Sequence, residues 1–271
     1  MLSEPVYESK NALRILPAGK ITLEGLHYRY PMRAPIVLEA ELRQIEKCLS
    51  YGFKRLELES LKQETMCVVG YGPSLHETWK EITHPCVTVS GSHDFLIERG
   101  VIPDFHAECD GRDYKPKHLE KPNEATTYLM ASVCNPKMWE QLKGHDVRVW
   151  HNAGGKHVVD WIGKNDDGGL LVAGGSNIGL ASIHLTGILG YRNFKVFGLD
   201  GNLKSGKRHA GPHYGQPQKI IKHTVNGRTW ETTPQMYNAC EEMLFLMDDK
   251  NVKIQVVGES LLRDMVINKT K

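Results

Sequence analysis

Met66-Cys67-Val68-Val69-Gly70-Tyr71-Gly72-Pro73-Ser74-Leu75 is the stretch on which the fold turns. An apolar run, Met66 to Val69, ends in a glycine turn, and the mixed segment from Ser74 to Ile82 reads as a helix. Glycine at a strand-to-helix turn lets a ligand approach the backbone closely. The free N–H groups and positive dipole at a helix start favour an anion, usually a phosphate. Gly70, Gly72, Pro73 and Ser74 are therefore candidate nucleotide-binding residues. Pro73 suits the first helical turn, where its missing N–H costs nothing.

The same alternation continues downstream. Short β-rich runs fall at 66–70, 86–90, 105–109, 126–131, 147–151, 170–173, 194–199 and 253–257. Helical stretches at 74–82, 92–99, 136–143, 155–162, 176–189, 234–248 and 259–266 lie between most of them. Apolar strands alternating with helices predict an α/β, Rossmann-like fold, a mostly parallel sheet with helices on both faces. Residues 1–64 do not join this pattern and read as a short N-terminal appendage. It holds one helix at 36–50, with Leu38, Leu42, Ile45 and Leu49 near one face and Gly52 as its cap. Residues 65–271 form the nucleotide-binding domain.

In such sheets the ligand lies beyond the carboxyl ends of the strands. That rule selects Gly70 to Ser74, Ser90 to Asp94, Asp110 to Asp113, Gly174 to Asn177, and Asp200 to Gly201. The turn Ala173-Gly174-Gly175-Ser176-Asn177-Ile178-Gly179 repeats the strand, glycine turn and helix start of the first. Two such turns could hold opposite parts of one nucleotide, although either alone serves equally as a structural turn. Asp94, Gly174, Gly175, Ser176 and Asn177 join the nucleotide-binding candidates. Asp110 and Asp200 each end a strand, where a carboxylate can bind Mg²⁺, a ribose hydroxyl or an amide-like edge, or simply cap the turn.

Residues 201–233 interrupt the alternation with Gly206, Gly211, Pro212, Gly215 and Pro217, and with His209, His213 and His223. A long excursion after a strand reads as a lid or binding loop. Lys204, Lys207, Arg208 and His209 suit an anionic ligand, and His209 or His213 a general base. Asn226-Gly227 marks a hairpin within 224–229.

Several classes are disfavoured. Leu75 replaces the third glycine of a dinucleotide fingerprint, and no acid ends the next strand. The run Gly201 to Arg208 matches G-x-x-x-x-G-K, but Arg208 stands where a Ser or Thr is needed and no helix follows. No G-x-S-x-G elbow occurs. Gly211 and Pro212 between His209 and His213 oppose a helical metal pair, and no C-x-x-C is present. A net charge of +2 with 24% charged residues opposes a dedicated nucleic-acid binder. No run approaches 18 apolar residues, which opposes a membrane helix, and the start lacks a signal-peptide pattern. Six scattered cysteines read as reduced buried thiols, so a cytoplasmic location is expected.

The ordered set Gly72-Pro73-Ser74-Leu75, Gly100-Val101-Ile102-Pro103-Asp104, Asp110, Gly174 to Gly179, Leu189-Gly190-Tyr191, Val196 to Asp200, His209-Ala210 and Val257 to Leu262 resembles a known family. It is the domain shared by archaeal 6-hydroxymethylpterin diphosphokinases (MptE-like) and by motility accessory factors of flagellin glycosylation. The same positions are similar to bacterial sialyltransferases that use CMP-sugars, except that Tyr71 and Ser92-His93-Asp94-Phe95 depart from their pattern. The resemblance spans about 66–266 and leaves residues 1–64 outside. It implies a transferase with a small-molecule nucleotide donor and a hydroxyl acceptor, either ATP giving a diphosphate to a hydroxymethyl, pterin-like acceptor or a nucleotide sugar giving its sugar; a non-catalytic nucleotide-binding protein is the other reading. It further implies Mg²⁺ held by Asp110 and Asp200, with Asp110, Asp200 and His209 as the catalytic set.

Overall fold

The computed structural model describes residues 15–17, 36–153, 156–166, 168–172, 174–212, 214–215 and 217–270. Ala173, His213 and most of the appendage therefore lie outside the described residues. In chain order the elements are β1 (Ile15–Pro17), α1 (Leu38–Leu49), β2 (Lys54–Arg55), β3 (Thr65–Val69), α2 (Leu75–Thr78), β4 (Cys86–Val89), α3 (Ser92–Ile97), β5 (Phe105–Glu108), β6 (Thr127–Ala131) and α4 (Pro136–Gln141). There follow β7 (Asp146–Asn152), α5 (Lys156–Asn165), β8 (Leu170–Val172), α6 (Ile178–Ile188), β9 (Asn193–Phe197), β10 (Ile221–Val225), β11 (Arg228–Thr232), α7 (Pro234–Leu246), β12 (Lys253–Val256) and α8 (Leu261–Lys269).

The main sheet runs β1-β8-β7-β6-β5-β4-β3-β9-β12, with β2 also paired to β7. All its pairs are parallel except β1, which lies antiparallel on β8. The chain lays down β3 to β8 in one direction and then returns to the free side of β3 to place β9. Thr65–Val69 of β3 thereby pairs with Asn193–Phe197 of β9. The β3/β9 boundary is the topological switch point, where helices on opposite faces diverge and leave a crevice. Each strand expected from the sequence is present. β3 and β4 read as unbroken apolar runs because both faces are covered: Met66 to Val69 and Cys86 to Val89 are all buried. Helix α6 has no polar stripe, since it packs across β3, β4, β5 and β8 and buries almost every side chain.

Three expectations need correction. First, the boundary at residue 64 does not divide two cores. Ile45 and Cys48 of α1 and Leu56 after β2 sit in the same apolar core as the sheet. Strand β2, two charged residues long, extends β7, and such a segment carries no apolar signal. The buried face of α1 runs through Glu41, Ile45 and Cys48, while Leu38 is exposed. Second, the helix expected at 74–82 is one α-helical turn, α2, continued by a 3₁₀ turn at Trp79–Glu81. Third, the lid-like region is shorter than 201–233. The β10–β11 hairpin turns through Asn226 and Gly227, both with positive φ as a type I′ turn requires. It is fastened to α8, because Trp230 donates to Asp264 (2.9 Å) and Asn226 to the Asp264 carbonyl (2.9 Å). Among the described residues, only 203–212, 214–215 and 217–220 remain as an irregular wall. All six cysteines are unpaired.

The packing of α1 predicts the result of truncating Ile45. The Ile45→Ala protein should lose about 2–5 kcal/mol of unfolding free energy, the usual cost of a cavity at a fully buried site. Urea titration measures it. A change near zero would show that α1 lies outside the cooperative core.

Candidate functional site

The first glycine turn is shaped by the strand beside it. Gly70 N–H donates to the Phe197 carbonyl and Gly72 N–H to the Gly198 carbonyl, both at 2.7 Å. A Cβ at Gly70 would lie 2.4 Å from the Gly198 oxygen, and one at Gly72 2.6 Å from both that oxygen and Asp200 Oδ2. Glycine is needed here because β9 comes this close. The anion at the start of α2 is the protein's own. Ser74 donates its N–H to Asp200 Oδ2 (2.7 Å) and its hydroxyl to Asp200 Oδ1 (2.5 Å). Burial pushes the Asp200 carboxyl up to about 6, although the Ser74 bonds favour the ionised form.

The second turn is filled in the same manner. Ser176 N–H donates to Glu242 Oε2 of α7 (2.7 Å), and Asn238 donates to Glu242 Oε1 (3.0 Å). Gly175 holds φ +80°, open to glycine at little cost. Gly174 packs on Ala181. Asn177 caps α6 by accepting from Leu180 N–H (2.9 Å). The two turns meet: a Cβ at Gly70 and one at Gly179 would each touch the same methyl of Leu199, at 2.4 and 2.5 Å. Ser176 Oγ and Asn238 Oδ1 are buried there without a protein partner. Glu242 and Asn238 escaped the sequence reading because they lie mid-helix, far from any strand end.

Asp110 stands elsewhere, in a charged cluster at the ends of β4 and β5. Arg112 donates Nε to both Asp110 oxygens (2.9 Å each), and its Nη2 also bonds Oδ2. Buried Lys115 reaches Glu108 Oε2 (2.9 Å), Asp110 Oδ2 (3.8 Å) and the Ser90 hydroxyl (3.3 Å). Burial alone would raise the Asp110 carboxyl, but Arg112 and Lys115 outweigh it and hold it below the usual aspartate range. Burial likewise opposes the Lys115 charge, and Glu108 and Asp110 more than offset it. Ser90 has φ +52°, a strained conformation for a residue with a Cβ. Gln44 of α1 donates to the Gly111 carbonyl (3.0 Å), so the supposed appendage braces this cluster. Lys115 and Glu108 were missed because lysine and glutamate usually face solvent. Asp94 is spent within the same chain, accepting from Glu120 N–H (2.7 Å), Lys121 N–H (3.3 Å) and His93 (3.0 Å).

Asp110 and Asp200 do not form a shared metal site. Two strands, β4 and β3, separate β5 from β9, which puts the strand ends about 14 Å apart. Oxygen ligands of one Mg²⁺ lie within about 4 Å of each other, given bonds of about 2.1 Å. Asp110 is also already saturated by a guanidinium. The carboxylates present do not fit the expected Mg²⁺ ion.

The open space lies at the switch point. A cleft of about 880 Å³ separates Pro73, His76 and Glu77 from the 203–220 wall, which contributes Lys204, Lys207, Arg208 and His209. His76 donates to the Ala210 carbonyl (2.6 Å), and Ala210 N–H donates to the Tyr71 carbonyl (2.8 Å). Lys204 pairs with Glu77. His209 stacks on Tyr71 with ring centroids 5.8 Å apart, and burial raises the Tyr71 phenol to about 12, so it stays neutral. His209 thus reaches the first turn, whereas Asp110 and the second turn do not line this cleft.

These features define a Rossmann-like α/β domain with a cation-lined cleft at its switch point. A family model described as 6-hydroxymethylpterin diphosphokinase MptE-like matches residues 39–205, and the chain belongs to this MptE-like family. The match begins inside α1, which again moves residues 39–64 out of an appendage. Among solved structures, the chain is similar to the MAf glycosyltransferase from Magnetospirillum magneticum AMB-1, at 13% identity and a TM-score of 0.59. That similarity covers 87% of this chain but 42% of the glycosyltransferase, and at this identity it shows the fold alone. No curated protein matches the chain.

Two measurements follow from the buried charges. The Asp200 carboxyl has a folded pKa above the ordinary 3.8, so its contribution is fully present below pH 3.8 and is lost as pH rises through about 6. The amount is on the order of 3 kcal/mol. Unfolding free energy plotted against pH should fall across that window and do so less steeply in Asp200→Asn; identical slopes would exclude the assignment. Lys115→Met leaves the buried Glu108 carboxylate without its cation, while Asp110 keeps Arg112, and should cost about 3–5 kcal/mol in chemical denaturation. A loss under about 1 kcal/mol, the worth of a surface pair, would show the cluster to be solvated.

Proposed function

We propose that the protein is a transferase whose donor carries phosphate and lies in the switch-point cleft. We further propose that it moves a diphosphate from ATP to a hydroxymethyl, pterin-like acceptor. The observation that carries this reading is the cleft wall, where Lys204, Lys207, Arg208 and His209 face His76 and the first turn. The N–H groups of Gly70, Gly72 and Ser74 in that turn are already spent on Phe197, Gly198 and Asp200. Donor phosphates would therefore be held by side-chain cations from the 203–220 wall. Closing that wall would exclude water and strengthen each charge contact. The family description supports diphosphate transfer.

In that reaction the acceptor oxygen bonds to the β-phosphorus of ATP. The bond from that phosphorus to the α,β-bridging oxygen breaks, and AMP leaves with the bridging oxygen. His209, held by its stack on Tyr71, takes the hydroxyl proton. Arg208 and Lys207 balance the charge that builds on the leaving phosphate.

A second reading is glycosyl transfer from a nucleotide sugar. It is favoured by the separation of Asp110 from Asp200, which leaves no paired-carboxylate ion site. It is also in keeping with the glycosyltransferase fold neighbour. There the acceptor oxygen bonds to the anomeric carbon, the carbon–oxygen bond to phosphate breaks, and the same histidine takes the proton.

Product analysis separates the two. ATP with 6-hydroxymethylpterin should yield AMP and the pterin diphosphate in equal amounts. Nucleotide release from CMP- or UDP-sugars, with none from ATP, would transfer the assignment to the second reading. His209→Ala should lower turnover about 10²–10⁴-fold with donor affinity kept. Lys207→Ala/Arg208→Ala should instead abolish the stabilisation of about 2.7 kcal/mol that donor at 100 times its Kd confers. Normal turnover in His209→Ala would exclude it as the base.

A further inference from the structure

We infer that His84, Cys86 and Asp104 bind one zinc-class divalent cation at the end of the sheet opposite the cleft. The three residues bring a ring nitrogen, a thiol sulfur and a carboxylate oxygen within 4.8 Å of one another. His84 Nδ1 lies 2.7 Å from Asp104 Oδ2. The same oxygen accepts from the Cys86 N–H at 2.7 Å, which fixes the carboxylate beside the sulfur. A tetrahedral ion about 2.0–2.3 Å from its ligands spaces them roughly 3.5 Å apart. Loading the site therefore needs side-chain shifts of about one ångström, available to His84, which is 58% exposed, and Asp104, which is 37% exposed.

The donor set selects the ion. Mg²⁺ and Ca²⁺ seek oxygen ligands, whereas a thiolate with an imidazole suits Zn²⁺ or Co²⁺. Binding releases the Cys86 proton to solvent, and thiolate plus carboxylate then balance the double positive charge. Three protein ligands leave a fourth position for water on the exposed His84 side. Cys67, the cross-strand partner of Cys86, is engaged with Thr83 at 3.6 Å and is not required.

The location separates this site from the transferase cleft. Cys86 begins β4, His84 precedes it, and Asp104 immediately precedes β5. All three therefore lie at the amino ends of adjacent parallel strands, about 13 Å along β4 from Ser90 at the carboxyl end. An ion here would fasten the entries to β4 and β5. Among the described residues it is the one group of three such side chains so close together.

The test uses the whole chain, stripped of metal with a chelator and titrated with Co²⁺. One equivalent should produce a sulfur-to-cobalt charge-transfer band that Zn²⁺ displaces. The band should vanish in Cys86→Ser. Affinity should fall at least about tenfold in His84→Gln and in Asp104→Asn. His84 is exposed, so His84→Gln leaves the core intact, and far-ultraviolet circular dichroism checks the fold of each variant. Absence of the band in the wild type, or its survival in both Cys86→Ser and His84→Gln, would overturn the site.

Discussion

The close approach of β3 and β9 at their carboxyl ends is the constraint on which the site depends. Gly72 N–H meets the Gly198 carbonyl at 2.7 Å, and Gly198 itself takes φ +60°. Side chains at positions 70, 72 or 198 would collide with the facing backbone. This tight seam sets where the chain reverses its course across the sheet. It delivers Asp200 onto Ser74 and carries the chain onward into the wall of the cleft. The seam takes up the N–H groups of Gly70, Gly72 and Ser74, and the side chains of Lys204, Lys207, Arg208 and His209 line the crevice.

Both glycine turns obey the electrostatics of helix starts, with protein carboxylates as the anions. Asp200 lies at the start of α2 and Glu242 near the start of α6. Each is anchored by a neighbouring N–H; Asp200 is buried and Glu242 half-buried. The consequence is a division of labour. The turns build the frame, and the cations on 203–220 line the crevice. A phosphate could take the place of the buried Asp200 carboxylate only by moving that charge within a poorly hydrated interior, a cost of several kcal/mol for a buried charge.

The fold was legible because its signal is additive. Eight apolar runs and the helices between them repeat one local rule, and Asn226-Gly227 specifies its own turn. What escaped the sequence were features made by distant chain segments. Lys54-Arg55 is a strand only because β7 offers it an edge. Lys115 is buried only because Glu108 and Asp110 surround it. Gly72 was readable as a tight approach, but its neighbour proved to be backbone and carboxylate instead of phosphate. The position of Asp110 at a strand end was likewise correct, while its distance from Asp200 depended on a strand order that periodicity does not encode. His209 could be placed at the crevice because its loop follows directly from the switch-point strand.

The cluster at the ends of β4 and β5 shows why the fold tolerates strain close to the crevice. Ser90 is held at positive φ, a cost of about 1–3 kcal/mol. Its hydroxyl accepts from Lys115, while the Ser92 hydroxyl two residues on ties β4 to β3 by donating to the Val69 carbonyl at 2.7 Å. Neither arrangement favours folding by itself, since burying Lys115, Glu108 and Asp110 together roughly offsets its own gain. What the cluster does provide is position. It fixes the chain leaving β4 against the chain leaving β5, and Gln44 locks the outer side through Gly111. Rigid ends on β4 and β5 in turn hold His118 and Tyr71 in edge contact, 6.3 Å between ring centroids, under the stacked His209. The buried charge is thus linked, through two aromatic contacts, to His209.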